Sequence, residues 1–76
     1  MKVKFDILNN EPQLGDVLVF TIPYYKILVY GICTSFSKSG IPIVNITDDF
    51  KKGNGFMIKK GEHQIRGQFV IGNKFK

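Results

Sequence analysis

The chain predicts an all-β fold: a small barrel or strongly curled antiparallel sheet of five to six strands, in a single domain spanning residues 1–76. Three observations carry this. Apolar runs of strand length recur every 8–14 residues with Gly, Pro, Asn, Asp or Ser between them, the spacing of a sheet closed or nearly closed on itself. Nowhere do apolar residues recur at i, i+3, i+4 and i+7 over a helix-length window. The centre of the chain, Leu14 to Ile46, reads as a three-stranded meander with a glycine, Gly31, inside its longest run.

In chain order, Val3, Phe5 and Ile7 alternate with Lys2, Lys4 and Asp6. That period of two predicts a half-buried strand over 2–8. Asn9 to Gln13 is a loop by composition, and Gly15-Asp16 turns into the second strand, Val17 to Ile22. Leu18, Phe20 and Ile22 are the bulkier set and are placed inward. Pro23 ends the strand, because it has no N–H for a ladder. Tyr24 and Tyr25 follow in a loop. The third strand, Lys26 to Phe36, contains Gly31, where a bulge or sharp bend is expected. Ser37-Lys38-Ser39-Gly40 is a hairpin turn with Gly40 at positive φ. Ile41 to Thr47 returns as the fourth strand. Residues 48–55 read as a long loop, Phe56 to Lys60 as a short fifth strand, Gly61 to Gln64 as a turn or a single helical turn, Ile65 to Ile71 as the last strand, and 72–76 as a tail.

Seventy-six residues bury roughly 60–65% of the surface their unfolded chain exposes, so the margin of stability is thin. Cys33 is the only cysteine, so no intrachain disulfide supports the core. A lone Cys in an apolar strand suits a reducing compartment. The opening residues lack the apolar stretch of a signal peptide, and no run approaches the ~20 apolar residues of a membrane span. A cytoplasmic domain without membrane contact is the expectation.

Net charge is +5, and its distribution is uneven. Residues 1–50 hold four Lys against five acids, a net of −1. Residues 51–76 hold Lys51, Lys52, Lys59, Lys60, Arg66, Lys74 and Lys76 against Glu62, a net of +6. Ten of the eleven basic residues are Lys. Lysine is a point charge where arginine is a planar fork, so the balance favours tracking phosphate over reading bases. The same Lys-rich, Arg-poor composition is what a phage or a low-GC bacterial genome encodes.

Gly15-Asp16-x-Leu18-x-Phe20, then a loop, then Tyr30-Gly31-Ile32-Cys33, a turn at Gly40 and Val44-x-Ile46 resembles the opening of SH3-like small β-barrels of the KOW and Tudor types. The resemblance covers residues 14–47. It departs from the KOW pattern between Phe20 and Gly31, where Pro23, Tyr24 and Tyr25 replace a glycine-rich loop, and the Tudor aromatic cage has no residue-by-residue match. It implies a binding module for nucleic acid, peptide or protein, without naming the ligand.

The motifs point away from catalysis. The single His, His63, and Cys33 would have to meet within hydrogen-bond reach to form a dyad, and a Cys in a barrel strand is expected to be buried as a small hydrophobe. One Cys and one His cannot make a zinc site. Asp48-Asp49 has too few oxygen ligands for Ca²⁺ and is expected to shape a turn. No cofactor motif is present. What remains is binding. Lys51, Lys52, Lys59 and Lys60 interleave with Phe50 and Phe56 around Gly53-Asn54-Gly55, and Arg66 follows. Positive charge beside aromatics is the pattern of single-strand binders, against the plainer expectation that Phe56 and Ile58 are core beside a solvated lysine rim. The expected nucleic-acid-binding residues are therefore Lys51, Lys52, Lys59, Lys60, Arg66 and Phe50. The alternative is a protein-interaction module, an adaptor or small regulatory factor, docking through Tyr24 and Tyr25. Val17 and Val19, facing outward, would then make a partner or homo-oligomer surface.

Overall fold

The computed structural model describes residues 2–22, 27–52 and 56–72, and of residues 22, 27, 50–52, 56 and 57 the backbone alone. Within them the strands are β1 (Val17–Ile22), β2 (Ile27–Phe36), β3 (Pro42–Ile46), β4 (Phe50–Lys52), β5 (Phe56–Ile58), β6 (Gly61–Gln64) and β7 (Phe69–Ile71). No α-helix occurs among the described residues. Five strands form one antiparallel sheet in the order β6-β3-β2-β1-β7, while β4 and β5 pair as a separate hairpin. The all-β, curled-sheet expectation holds, and the central meander is β1, β2 and β3.

The curl follows from connectivity. Gln64 pairs with Ile43 at one edge of the sheet and Phe69 with Phe20 at the other. In a flat sheet these positions would lie about 25 Å apart, from strand spacings of about 4.8 Å and a rise of about 3.3 Å per residue. The five steps from Gln64 to Phe69 span at most about 18 Å. The sheet therefore bends until its edges approach. Among the described residues no ladder joins β6 to β7, so the curl is open along that line.

The inner face carries the core in register. Leu18 stands beside Ile71 and Gly31, Phe20 beside Phe69 and Val29, and Cys33 beside Val44. Ile46, Ile58 and Ile65 are buried with them, and Phe36 packs against the cluster. Each large aliphatic buried here contributes about 1.5–3 kcal/mol. The inward placement of Leu18 and Phe20 is as expected. Gly31 plays a different part from the one its position suggests. The register shift lies between Cys33 and Ser35. Gly31 is instead where β3 comes closest: a Cβ there would sit 3.0 Å from Val44 Cβ and 3.1 Å from the Asn45 carbonyl oxygen.

Residues 2–8 are the main departure from expectation. They form no strand, and their burial is inverted: Phe5 is 43% and Ile7 55% exposed, while Asp6 is buried. The Asp6 carboxylate supplies the reason. Its Oδ1 accepts the N–H groups of Leu8 (3.0 Å) and Asn10 (2.7 Å), and its Oδ2 accepts that of Ile71 (3.2 Å). The Asp6 N–H donates to the Asn10 carbonyl, with Asn9 at φ 65° closing the turn. Burial alone would push this carboxyl up, but the backbone donors of Asn10, Ile71 and Leu8 outweigh it and hold it below the ordinary carboxylate range. Together with the Ile7 N–H on the Phe69 carbonyl (3.1 Å), the carboxylate covers the free edge of β7.

Three further boundaries differ. Gly61 to Gln64 is a strand, held by four residue pairs with β3, because an edge strand with a solvated outer side needs no apolar alternation. The last strand is confined to Phe69–Ile71, and the Ile65 N–H continues the β3 pairing by donating to the Pro42 carbonyl (3.0 Å). The presumed loop over 48–55 contains β4.

Candidate nucleic-acid interface

The expected basic residues fall into two places. Lys59 and Lys60 are exposed at the junction of β5 and β6. The backbone there is fixed: the Lys60 N–H donates to Asp49 Oδ1 (2.8 Å), and His63 Nε2 donates to the Lys59 carbonyl (2.8 Å). Asp49 therefore anchors the base of the hairpin, the turn-shaping role expected of Asp48-Asp49. Lys51 and Lys52 lie on β4 opposite Met57 and Phe56, and Phe50 lies opposite Ile58. The β4–β5 pairing sets the Lys51-Lys52 backbone beside the strand that leads into Lys59-Lys60. Gly53, Asn54 and Gly55 lie outside the described residues, as do Tyr24, Tyr25, Lys74 and Lys76.

Arg66 does not join this group. It lies past the far end of β6, roughly 20 Å along the chain from Lys60 at about 3.3 Å per residue. Its neighbours are residues that the charge count of the first fifty positions conceals. Lys4 Nζ donates to the carbonyls of Arg66 (2.7 Å) and Gly67 (2.6 Å), and the Lys4 N–H donates to the Gly40 carbonyl (2.9 Å). Lys2, Lys38 and Ser39 gather at the same end of the sheet. An open groove of about 560 Å³ runs here, lined by Lys2, Val3, Lys4, Phe5, Asn9 and Ser39.

The β2–β3 turn positions this end. The Ser37 hydroxyl accepts the N–H groups of Ser39 (3.2 Å) and Ile41 (3.1 Å), and the Gly40 N–H donates to the Ser37 carbonyl (2.9 Å). Gly40 has the expected positive φ, 83°. It is also buried under the first residues of the chain: a Cβ there would run into the Lys2 carbonyl oxygen.

Acids of the first fifty residues offset this charge less at the surface than their number suggests. Asp6 is turned inward as described. Asp16 is also buried, and its Oδ2 accepts the Gln13 N–H (2.9 Å). Lys2 and Lys38 remain exposed.

Cys33 and His63 share an inner row of the sheet, but Val44 stands between them in register. Two strand spacings put their backbones about 10 Å apart. Cys33 is buried, and its thiol donates to the Ser35 carbonyl (3.6 Å). Burial pushes the thiol pKa up, the Ser35 contact opposes this, and the Asp16 charge adds to it. Among the described residues no group of three or more His, Cys, Asp or Glu side chains could hold a metal ion, and no helix is long and apolar enough to cross a membrane.

The outward face of β7, β1 and β2 is apolar. Leu28 (66% exposed), Tyr30 and Ile32 lie across from Thr21, Val19 and Val17, with Val70 beyond Val19. Val19, Leu28, Val70 and Gly72 line a shallow hollow of about 400 Å³.

No protein-family model matches the chain, and neither does any curated protein or solved structure.

Proposed function

We propose that this chain is a non-catalytic binding domain for nucleic acid, held through phosphate contacts with little sequence preference. The observation that carries the reading is the exposed Lys59-Lys60 pair on a fixed backbone, beside the β4 strand that bears Lys51 and Lys52. Exposed ammonium groups on an ordered support neutralise phosphates and release counterions. The resemblance of residues 14–47 to SH3-like barrels implies a binding module, which agrees with this reading.

Fluorescence anisotropy with short DNA and RNA strands tests this. Binding should weaken steeply with salt, with a slope of about −0.7 per phosphate contact on single strands. Reversal of Lys51, Lys52, Lys59 and Lys60 to Glu should abolish it. Absence of binding at low salt would sink the proposal.

The apolar outward face favours a second reading, a protein-interaction module. Leu28, Tyr30 and Ile32 form an exposed row with no charged side chain among the described residues of that face, a surface suited to a protein partner or a second copy. Sedimentation of the wild type and of Leu28→Glu separates these outcomes. A concentration-dependent dimer lost in the variant indicates self-association. A monomer in both leaves only a foreign partner for that face.

A further inference from the structure

The geometry points to the groove lined by Lys2, Lys4, Phe5, Asn9 and Ser39 as a second binding site, one that takes single-stranded nucleic acid with a base stacked on Phe5. This inference rests on the nucleic-acid reading above, and it places the base contact at a part of the molecule remote from the lysine hairpin.

The central observation is how Phe5 is held. A large aromatic outside a strand is expected either to bury itself or to move freely. Phe5 does neither: it is 43% exposed, and the backbone on each side is pinned. Lys4 is fixed through its N–H to the Gly40 carbonyl and through its ammonium to the Arg66 and Gly67 carbonyls. Asp6 is fixed through its N–H and its carboxylate to Asn10, Leu8 and Ile71. An exposed ring on an ordered support loses little freedom when a base stacks on it.

Charge supplies the second argument. No carboxylate lines the groove, and the nearest acid in sequence, Asp6, is turned inward. Lys2 lies in the groove wall, Lys38 precedes Ser39 at its rim, and the Arg66 backbone touches Lys4. Lys4 has one N–H beyond its two carbonyl contacts to offer a phosphate. Asn9 and Ser39 add neutral polar side chains. Cations, an exposed aromatic and polar side chains along one open groove fit a polyanion that carries flat bases. The Lys4–Arg66 contact lies at most roughly 20 Å along the chain from Lys60, a distance that a strand of a few nucleotides spans.

The chain has no tryptophan, which makes the test direct. Phe5→Trp places the only tryptophan at the stacking position, where red-edge excitation selects it over the three tyrosines, and Leu28→Trp places one on the outward apolar face as a control. Both are titrated with oligo-dT and oligo-U while anisotropy of a labelled strand reports occupancy. Quenching of the Phe5→Trp emission by either strand, with the Leu28→Trp emission unchanged, is expected. Phe5→Leu, which keeps apolar bulk without a ring, should weaken binding about 5- to 150-fold. Lys2→Gln should reduce the salt slope by about 0.7.

Unchanged Phe5→Trp emission at saturation, with affinity abolished by Lys59→Glu/Lys60→Glu, overturns the groove and leaves the hairpin reading standing. Loss of binding in Phe5→Leu and Lys2→Gln, with the hairpin variants unaffected, does the reverse. A wild type that binds neither strand at low salt overturns both.

Discussion

The two basic ends of β6 are built differently. At the β5–β6 junction, Lys59 and Lys60 are anchored by near neighbours, through bonds spanning four and eleven residues. Both of these bonds run through backbone atoms, the Lys60 N–H and the Lys59 carbonyl. At the other end, Lys4 spans 62 and 63 residues to reach Arg66 and Gly67, and Asp6 spans 65 to reach Ile71. The charges at the first end stand exposed, and it is the backbone of these lysines that the bonds hold. At the second end, charged side chains hold the fold and shape a groove at once. A run of lysines in a sequence marks only the first kind.

If that contrast is right, substitutions at the groove end should cost stability and those at the hairpin should not. Gly40→Ala should have the largest effect, about 2–3 kcal/mol in chemical denaturation. It forces an alanine into the left-handed region and pushes against the Lys2 backbone. Asp6→Ala comes next, at about 2 kcal/mol, since it leaves the buried Ile71 N–H without its acceptor. Asp6 also predicts a pH dependence. Its folded pKa lies below the ordinary value, so its stabilisation is complete above the ordinary carboxylate range. It is lost as pH falls through the folded value. The wild-type stability curve should fall there more steeply than that of Asp6→Ala. Lys4→Met should cost about 1 kcal/mol, because exposed carbonyls regain water. Lys59→Glu/Lys60→Glu should stay within about 0.5 kcal/mol of wild type. A hairpin variant as damaging as Asp6→Ala would break the comparison.

Much of the sheet was legible in the chain. Bulk separated Leu18 and Phe20 from Val17 and Val19, and Gly40 after Ser37-Lys38-Ser39 marked the hairpin turn. Two stretches were not legible, for opposite reasons. Residues 2–8 alternate as a strand does, yet alternation cannot say which set faces inward when a carboxylate can satisfy three backbone donors. Gly61 to Gln64 forms a real strand whose polar residues give no alternation to read, because the outer side of an edge strand faces solvent. The candidate sites divide in the same way. The hairpin lysines are contiguous or nearly so in the chain, whereas the groove assembles Lys2, Lys4, Phe5 and Asn9 with Ser39 from a distant segment. The tertiary bond from the Lys4 N–H to the Gly40 carbonyl reveals that grouping.

The strand order has a kinetic consequence. β1 finds one partner immediately in β2 but must wait some fifty residues for the other, β7, and the Asp6 carboxylate has no Ile71 to receive until β7 is in place. Closing such distant pairs is slow relative to forming local hairpins. During synthesis the β1–β2–β3 meander can therefore assemble while the first ten residues still wander, and the groove takes shape only in the final docking step. The Lys4, Asp6 and Ile7 amides should be among the last to gain protection in a pulse-labelled refolding experiment, and Phe5 among the first residues to lose their native environment when the chain begins to unfold.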